Sequence, residues 1–303
     1  MTLLSRTSAR ARGELLPNRF EPGRKAAASR SRVNWVVVVA AVWLGLCVFA
    51  AVFADFIQLY DHRAIDLRAR LVPPVGFGGT WLHPLGTDEL GRDIYSRLIA
   101  SIRMSLLLAL IGTLGGAILG TTLGFLAAHF RGLVDDAVMV FIDIQASLPF
   151  FVVALVAVAI VGPSLWLFII LLSVFGWERY ARLVRALAIS ATEHGYAEAL
   201  RGLGVGPLRV YARHIFPNIA GAIIVNASLN FSETLLLEST LSFLGLGVQP
   251  PATSLGNMVG FARDYLVSAW WMAVFPAAVI LFCTLSIGIL GDWLRDRLDP
   301  NTR

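Results

Sequence analysis

Uncharged runs long enough to cross a hydrocarbon core alternate along this chain with polar, turn-rich segments. Val33 to Ala54 is 22 residues without a charge. At about 1.5 Å per residue this suffices for one crossing of a core about 30 Å thick, and it exceeds the apolar stretch of a cleaved signal peptide. Asp55 to Arg103 is polar, with Pro73, Pro74, Gly76, Gly78 and Gly79 marking irregular chain. Thr87 then suits a helix cap, with Asp88 and Glu89 in the first turn. Arg92 stands four residues after Asp88, and Ile94, Leu98 and Ile102 recur at helical spacing. That pattern predicts an amphipathic helix on the outer surface leading into a second span.

Met104 to Phe130 carries no Lys, Arg, Asp or Glu, and Gly112, Gly116, Gly120 and Gly124 recur every fourth residue. In lipid such a stripe lets another helix backbone approach closely. Val138 to Val161 predicts a third span broken only by Asp143, and Gly162-Pro163-Ser164 a turn. A fourth span begins near Leu165 and runs on past Glu178 and Arg179. Asn218 to Leu241 predicts a fifth, with Asn226, Ser228, Asn230, Ser232 and Glu233 facing other helices or a wet cavity. After Gln249-Pro250-Pro251, the uncharged run Tyr265 to Gly291 predicts a sixth. The expected fold is an all-α polytopic membrane protein of six transmembrane helices. Its expected parts are a basic arm (1–32), the first helix with an outer segment (33–103), a core (104–291) holding an inner loop (193–217), and a tail (292–303). With both ends inside, 18 of the 25 basic residues fall on the inner side and 7 on the outer, as the positive-inside bias requires.

Composition agrees with this picture. The chain has 303 residues, 57% hydrophobic and 15% charged, against about 45–50% and about 25% in soluble domains, and its mean hydropathy is +0.71. A water-soluble enzyme is excluded. The net charge of +5 arises from the arm, where Arg6, Arg10, Arg12, Arg19, Arg24, Lys25, Arg30 and Arg32 precede the first span. No basic stripe alternates with stacking aromatics, so nucleic-acid binding is not indicated. Cys47 and Cys283 lie in separate apolar runs and the five His are scattered, which gives neither a disulfide framework nor a metal site. The only lysine is Lys25, so a GxxxxGK[ST] phosphate loop is impossible.

The inner loop carries the most specific signal, reading EHGYAEALRGLGVGPLRVYARHIFP from Glu193 to Pro217. Tyr196, Ala199, Leu200 and Leu203 share one helical face, with Glu198 and Arg201 on other sides. Gly204 and Gly206 break the helix, and Pro207 suits the next first turn. Such a helix fits a groove on a cytoplasmic partner or lies on the lipid interface. Glu198-Ala199, Gly204 six residues after Glu198, and Ile215-Phe216-Pro217 resemble the EAA loop of ABC-importer permeases. Leu200 stands where that motif has a second alanine, and His214 where it has isoleucine. HPLGTDELGRDIYSR (His83–Arg97), ESTLSFLGLGVQPP (Glu238–Pro251) and GDWLRDRLDP (Gly291–Pro300) resemble the C-type permease of dipeptide, oligopeptide and nickel importers.

This resemblance implies the type I importer permease fold in a bacterial inner membrane. It also implies a related B-type permease, two cytoplasmic ATPase subunits and an extracytoplasmic substrate-binding protein as partners. The chain itself would bind no cofactor, and ATP and Mg would be used by the ATPases. Tyr196, Glu198, Ala199, Leu200, Leu203, Gly204 and Pro217 would couple ATPase closure to the helices. Asp143, Asn226, Asn230 and Glu233 are candidates for the substrate path, as is Glu238; the favoured reading of the acids is that they are bonded to neighbouring helices, or lie near the outer boundary in the case of Glu238. An ion-gradient-driven secondary transporter would use Asp143 and Glu233 as coupling carboxylates, but it predicts an internal repeat that the halves do not display. An intramembrane hydrolase needs a nucleophile and base, and no His lies near Ser228, Ser232 or Ser239 in sequence.

Overall fold

The computed structural model describes residues 35–193 and 205–298, and every named element among them is helical. The principal elements are α1 (Trp35–Val52), α2 (Ala54–Ile57), α3 (Ile94–Phe130), α4 (Gly132–Ser147), α5 (Phe150–Val161), α6 (Leu165–Val174), α7 (Trp177–Glu193), α8 (Pro207–Val210), α9 (Phe216–Phe243), α10 (Leu255–Ala262) and α11 (Trp271–Leu298). A π-helical turn, Tyr211–Ile215, joins α8 to α9. Helix α3 is central, packing against α1, α4, α6, α7 and α9, while α9 packs on α10 and α11. Helix α1 lies against α11 and α3, where buried Cys47 and Cys283 face each other as free thiols with sulfurs 3.5 Å apart.

Four stretches are long and apolar enough to cross a membrane among the described residues: Trp35–Val52, Ile94–Phe130, Tyr211–Phe243 and Trp271–Leu298. Helices α4 and α5 add a fifth if counted together, but they meet at a 90° bend rather than forming one straight third span. The cause is Pro149, which disfavours helical backbone at Leu148; that residue is extended, with ψ of 131°. The expected fourth span also breaks. Helix α6 is 10 residues long, and Gly176 at φ +80° turns the chain into α7 before Glu178 and Arg179 arrive. The six expected crossings thus differ from the observed elements at these two points.

Two other boundaries move. Helix α3 begins at Ile94, not near Thr87, and it continues through the second span as one rod of 37 residues. Thr87 is committed elsewhere: its hydroxyl accepts from Val72 N at 2.8 Å and donates to the Ala69 carbonyl. Buried Asp88 accepts from Leu90 N and Arg92 N, both at 2.8 Å, and binds Arg92 Nε at 2.6 Å and the Arg97 guanidinium. Asp93 is the actual cap, accepting from Ser96 N at 2.8 Å, while His83 Nδ1 lies 3.0 Å from its carboxylate. Trp271 Nε1 donates to the Thr87 carbonyl at 3.1 Å, tying this polar knot to α11. Near it, burial and the Arg63 guanidinium hold the His62 imidazole below its usual range. Finally, Arg263–Tyr265 forms a 3₁₀ turn, so the last span starts at Trp271 rather than Tyr265 and runs beyond Gly291 to Leu298.

The glycine stripe of α3 lies against α6, the Gly176 turn and α7. A Cβ on Gly112 would come 2.7 Å from Leu172 Cβ, and one on Gly116 would come 3.1 Å from the Ser173 carbonyl oxygen. At Gly120 it would overlap the Trp177 carbonyl oxygen, and at Gly124 it would approach the Ala181 oxygen at 2.7 Å. Only the absence of side chains permits this contact between backbones.

Candidate functional site

The two arms of the inner loop root in one apolar cluster. Tyr180, Val184, Ala188 and Ala191 of α7 meet Val210, Tyr211, Ile215, Ile219 and Ile223, together with Ala128 near the end of α3. Tyr211 also stacks edge-on against Phe125 and His129, at ring separations of 5.4 and 5.5 Å. Pro217 stands in the first turn of α9. Lacking N–H, it cannot donate to the Arg213 carbonyl. The ladder shifts just before it, with Phe216 N reaching back to the Tyr211 carbonyl. Tyr196, Glu198, Ala199, Leu200, Leu203 and Gly204 lie outside the described residues. The loop's base is thus a packed anchor holding α7, α9 and α3 together.

The candidate path residues do not converge on one cavity. Asp143 of α4 is largely exposed, with Arg182 Nη1 of α7 at 3.9 Å. Glu233 of α9 is half-exposed and pairs with Arg179 of α7. Asn230 is buried with its Nδ2 unpartnered, over the Gly176 turn, where a Cβ on that glycine would strike the amide. Asn226 lines a groove of about 680 Å³ between α7, α9 and α11, with Leu187, Ala222 and Arg295 among its other walls. Glu238 is fully buried in α9, accepting from Ser242 Oγ at 2.8 Å. Ser239 Oγ lies 3.4 Å from its other carboxylate oxygen, and the Ser105 hydroxyl of α3 and the Ser254 hydroxyl at the cap of α10 stand near it, so it sits where α9 meets α3 and the start of α10.

Several contributors escaped the sequence reading. Arg185 of α7 grips Asp135 of α4 through both nitrogens, with Nη2 to Oδ2 at 2.6 Å. Gln145 donates to the Val174 carbonyl at 2.8 Å and accepts from the Trp177 indole, holding the broken end of α6 to α4. The signal for the arginines was present. Glu178, Arg182 and Arg185 recur at helical spacing, opposite buried Tyr180, Val184, Ala188 and Ala191, which marks an amphipathic helix. Gln145 left no such trace, since its partners are 29 and 32 residues away.

The structure thus holds several apolar helices long enough to cross a membrane and a loop whose two ends root in one cluster on three helices. Comparison with known proteins makes this specific. The profile of the family described as binding-protein-dependent transport system inner membrane component matches residues 120–303. The di/tripeptide transport system permease protein DppC of Pseudomonas aeruginosa is 40% identical over 259 residues, covering 85% of this chain and 86% of that protein. The dipeptide transport system permease protein DppC of Escherichia coli is 39% identical over 271 residues, covering 89% and 90%. The probable D,D-dipeptide transport system permease protein DdpC of Escherichia coli is 34% identical over 265 residues, covering 88% and 87%. Among solved structures, an inward-facing MetNI methionine ABC transporter matches with a TM-score of 0.55 at 18% identity, covering 68% of this chain and 98% of the matched chain. That likeness concerns the fold alone.

The chain belongs to the binding-protein-dependent transport system inner membrane component family. It is a permease subunit of an ABC importer, and ATP hydrolysis is performed by separate ATPase subunits.

Proposed function

We propose that this permease passes dipeptides, oligopeptides or a similar small solute inward, paired with a related B-type permease. Two cytoplasmic ATPase subunits would use ATP and Mg, an extracytoplasmic binding protein would deliver the solute, and both termini would lie in the cytoplasm. The observation that carries the peptide reading is 40% identity to a di/tripeptide permease across 85% of the chain. The helical face of Tyr196, Ala199, Leu200 and Leu203 would seat in a cleft of one ATPase, with Glu198 beside it. Gly204, lacking Cβ, would allow the tight turn after it. Closure of the ATPases would then move α7 and α9, which share the cluster at the loop's base. Asp143, Asn226, Asn230 and Glu233 are the residues whose polarity suits a wet path.

Affinity purification of the tagged chain from its native host in mild detergent, followed by mass spectrometry, tests the assembly. A second permease and P-loop ATPases are expected. Recovery of the chain alone, under conditions that preserve known complexes, would remove the partner set. Uptake of labelled dipeptide by cells carrying Gly204→Asp at equal expression tests the coupling: uptake should be lost while membrane insertion persists, and undiminished uptake would refute the assigned role.

A further inference from the structure

The outer segment between α1 and α3 divides into two chemically different parts. Asp61, Arg63, Asp66, Arg68 and Arg70 precede, and Asp88, Glu89, Arg92 and Asp93 follow, a 16-residue stretch from Leu71 to Gly86 with no Asp, Glu, Lys or Arg. This stretch folds on itself. Val75 N donates to the Pro84 carbonyl at 3.2 Å, Phe77 N to Pro74 at 3.0 Å, His83 N to Thr80 at 3.2 Å and Gly86 N to His83 at 2.9 Å. Its tip turns apolar side chains outward instead of packing them: Phe77 is 66% exposed, Trp81 81% and Leu82 66%. Phe77 stacks edge-on against Trp270 at 5.1 Å, and Trp270 immediately precedes span α11. In the same turn before α11, Leu266 and Val267 are also exposed, Val267 fully.

The Phe77–Trp270 contact places this apolar tip beside the first residue of α11. Aromatic side chains are favoured at this depth, where an apolar ring meets the headgroup layer. Irregular backbone is tolerated near lipid only if its polar groups are satisfied, and the internal hydrogen bonds of this loop meet part of that demand. A surface built to grip a soluble partner would be expected to carry charge for register and steering, and this tip has none.

We propose that the Leu71–Gly86 loop, with Leu266 and Val267, is an interfacial anchor that inserts Phe77, Trp81 and Leu82 into the outer leaflet and holds the end of α11 at the membrane surface. The charged halves flanking it remain in water, so the loop fixes the height at which the outer face stands above the bilayer.

The test uses the full chain with its co-purifying subunits in nanodiscs of phosphatidylethanolamine and phosphatidylglycerol. Trp81→Cys, Val267→Cys and Asp61→Cys each carry a polarity-sensitive fluorophore, and the labelled parent protein reports any background from buried Cys47 and Cys283. Trp81 and Val267 labels should emit to the blue, lose emission to a nitroxide placed shallowly on the lipid, and resist aqueous iodide. The Asp61 label should show the reverse. Iodide quenching at Trp81 and Val267 without lipid quenching would overturn the proposal. Protection of those labels only after extracytoplasmic binding protein is added would overturn it too, and would make the loop a protein-docking surface.

Discussion

If the α3 stripe exists to let two backbones touch, its glycines should tolerate a methyl group in inverse order of how closely the partner's main chain approaches. Gly120→Ala is the sharpest case. Its Cβ would overlap the Trp177 carbonyl oxygen and lie 2.7 Å from Tyr180 Cβ. A carbonyl cannot rotate aside as a side-chain tip can, so α3 and α7 must part along their contact. Overpacking of this kind costs about 1–3 kcal/mol, while alanine gains about 1 kcal/mol in helix propensity over glycine. The net expectation is a loss of up to about 2 kcal/mol. Gly288→Ala in α11 is the matched control, because nothing lies within 4 Å of its Cβ; only the propensity gain remains. Gly116→Ala, 3.1 Å from the Ser173 oxygen, should fall between. Thermal unfolding of the purified variants, followed by size-exclusion recovery after heating, reads the order directly. Gly120→Ala should melt several degrees below the parent and Gly288→Ala at or above it. Equal melting of the two would refute close backbone approach as the reason for the stripe.

Asp88→Ala removes the carboxylate from buried Arg97, a change that costs about 3–5 kcal/mol when a buried ion loses its partner; trypsin added to sealed outward-facing membranes should then cleave the outer segment far faster than in the parent. Glu238→Leu leaves the Ser242 and Ser239 hydroxyls without their acceptor, at about 1–3 kcal/mol for each unsatisfied group, so it should melt below Glu238→Gln; equal melting would show that the carboxyl does not hold this part of the core. The His62 pKa lies below its unfolded value of 6.5, so the folded chain binds fewer protons, and stability present above that value is lost as pH falls through it. His62→Gln should flatten this part of a melting-temperature profile against pH. Glu233→Gln disrupts a half-exposed pair and should shift stability by less than about 1 kcal/mol; a large fall in uptake at unchanged melting would place Glu233 in the transport path.

The elements that the sequence made visible are those whose cause is local. Uncharged apolar runs marked α1, α3 and α11, a mainly apolar run with interspersed polar residues marked α9, and the four-residue period of Gly112 to Gly124 marked a close-packing face. What stayed hidden depends on partners distant in the chain. Thr87 and Asp88 have the composition of a helix start, yet their hydrogen bonds go to Val72, Ala69 and Arg97, and the helix waits for Asp93. Glu178 and Arg179 did signal a polar interruption, but the break falls just before them, at a glycine of positive φ that lies under the Asn230 amide. The path candidates were chosen as polar residues in apolar runs. That criterion cannot separate Glu238, enclosed by serines from three helices, from Asn226 on an open groove wall.

The break at Gly176 also bears on how a push at the loop would travel. Helix α7 is joined to α3 along the glycine stripe, to α4 through Asp135 and Arg185, and to α9 through the cluster beneath the loop. Its link to α6 is a turn of two residues, Phe175 and Gly176. A displacement of the loop base would therefore be shared by α3, α7 and α9 as a packed unit, because each contact is tight or bidentate. The turn at Gly176 is where α6 can stay behind. The unpartnered amide of Asn230 sits over that turn, and an unmet donor in a buried position favours any rearrangement that brings an acceptor to it. If the coupling reading holds, the α6–α7 turn is the place where motion of the inner half separates from the outer half held by Glu238 and the polar knot.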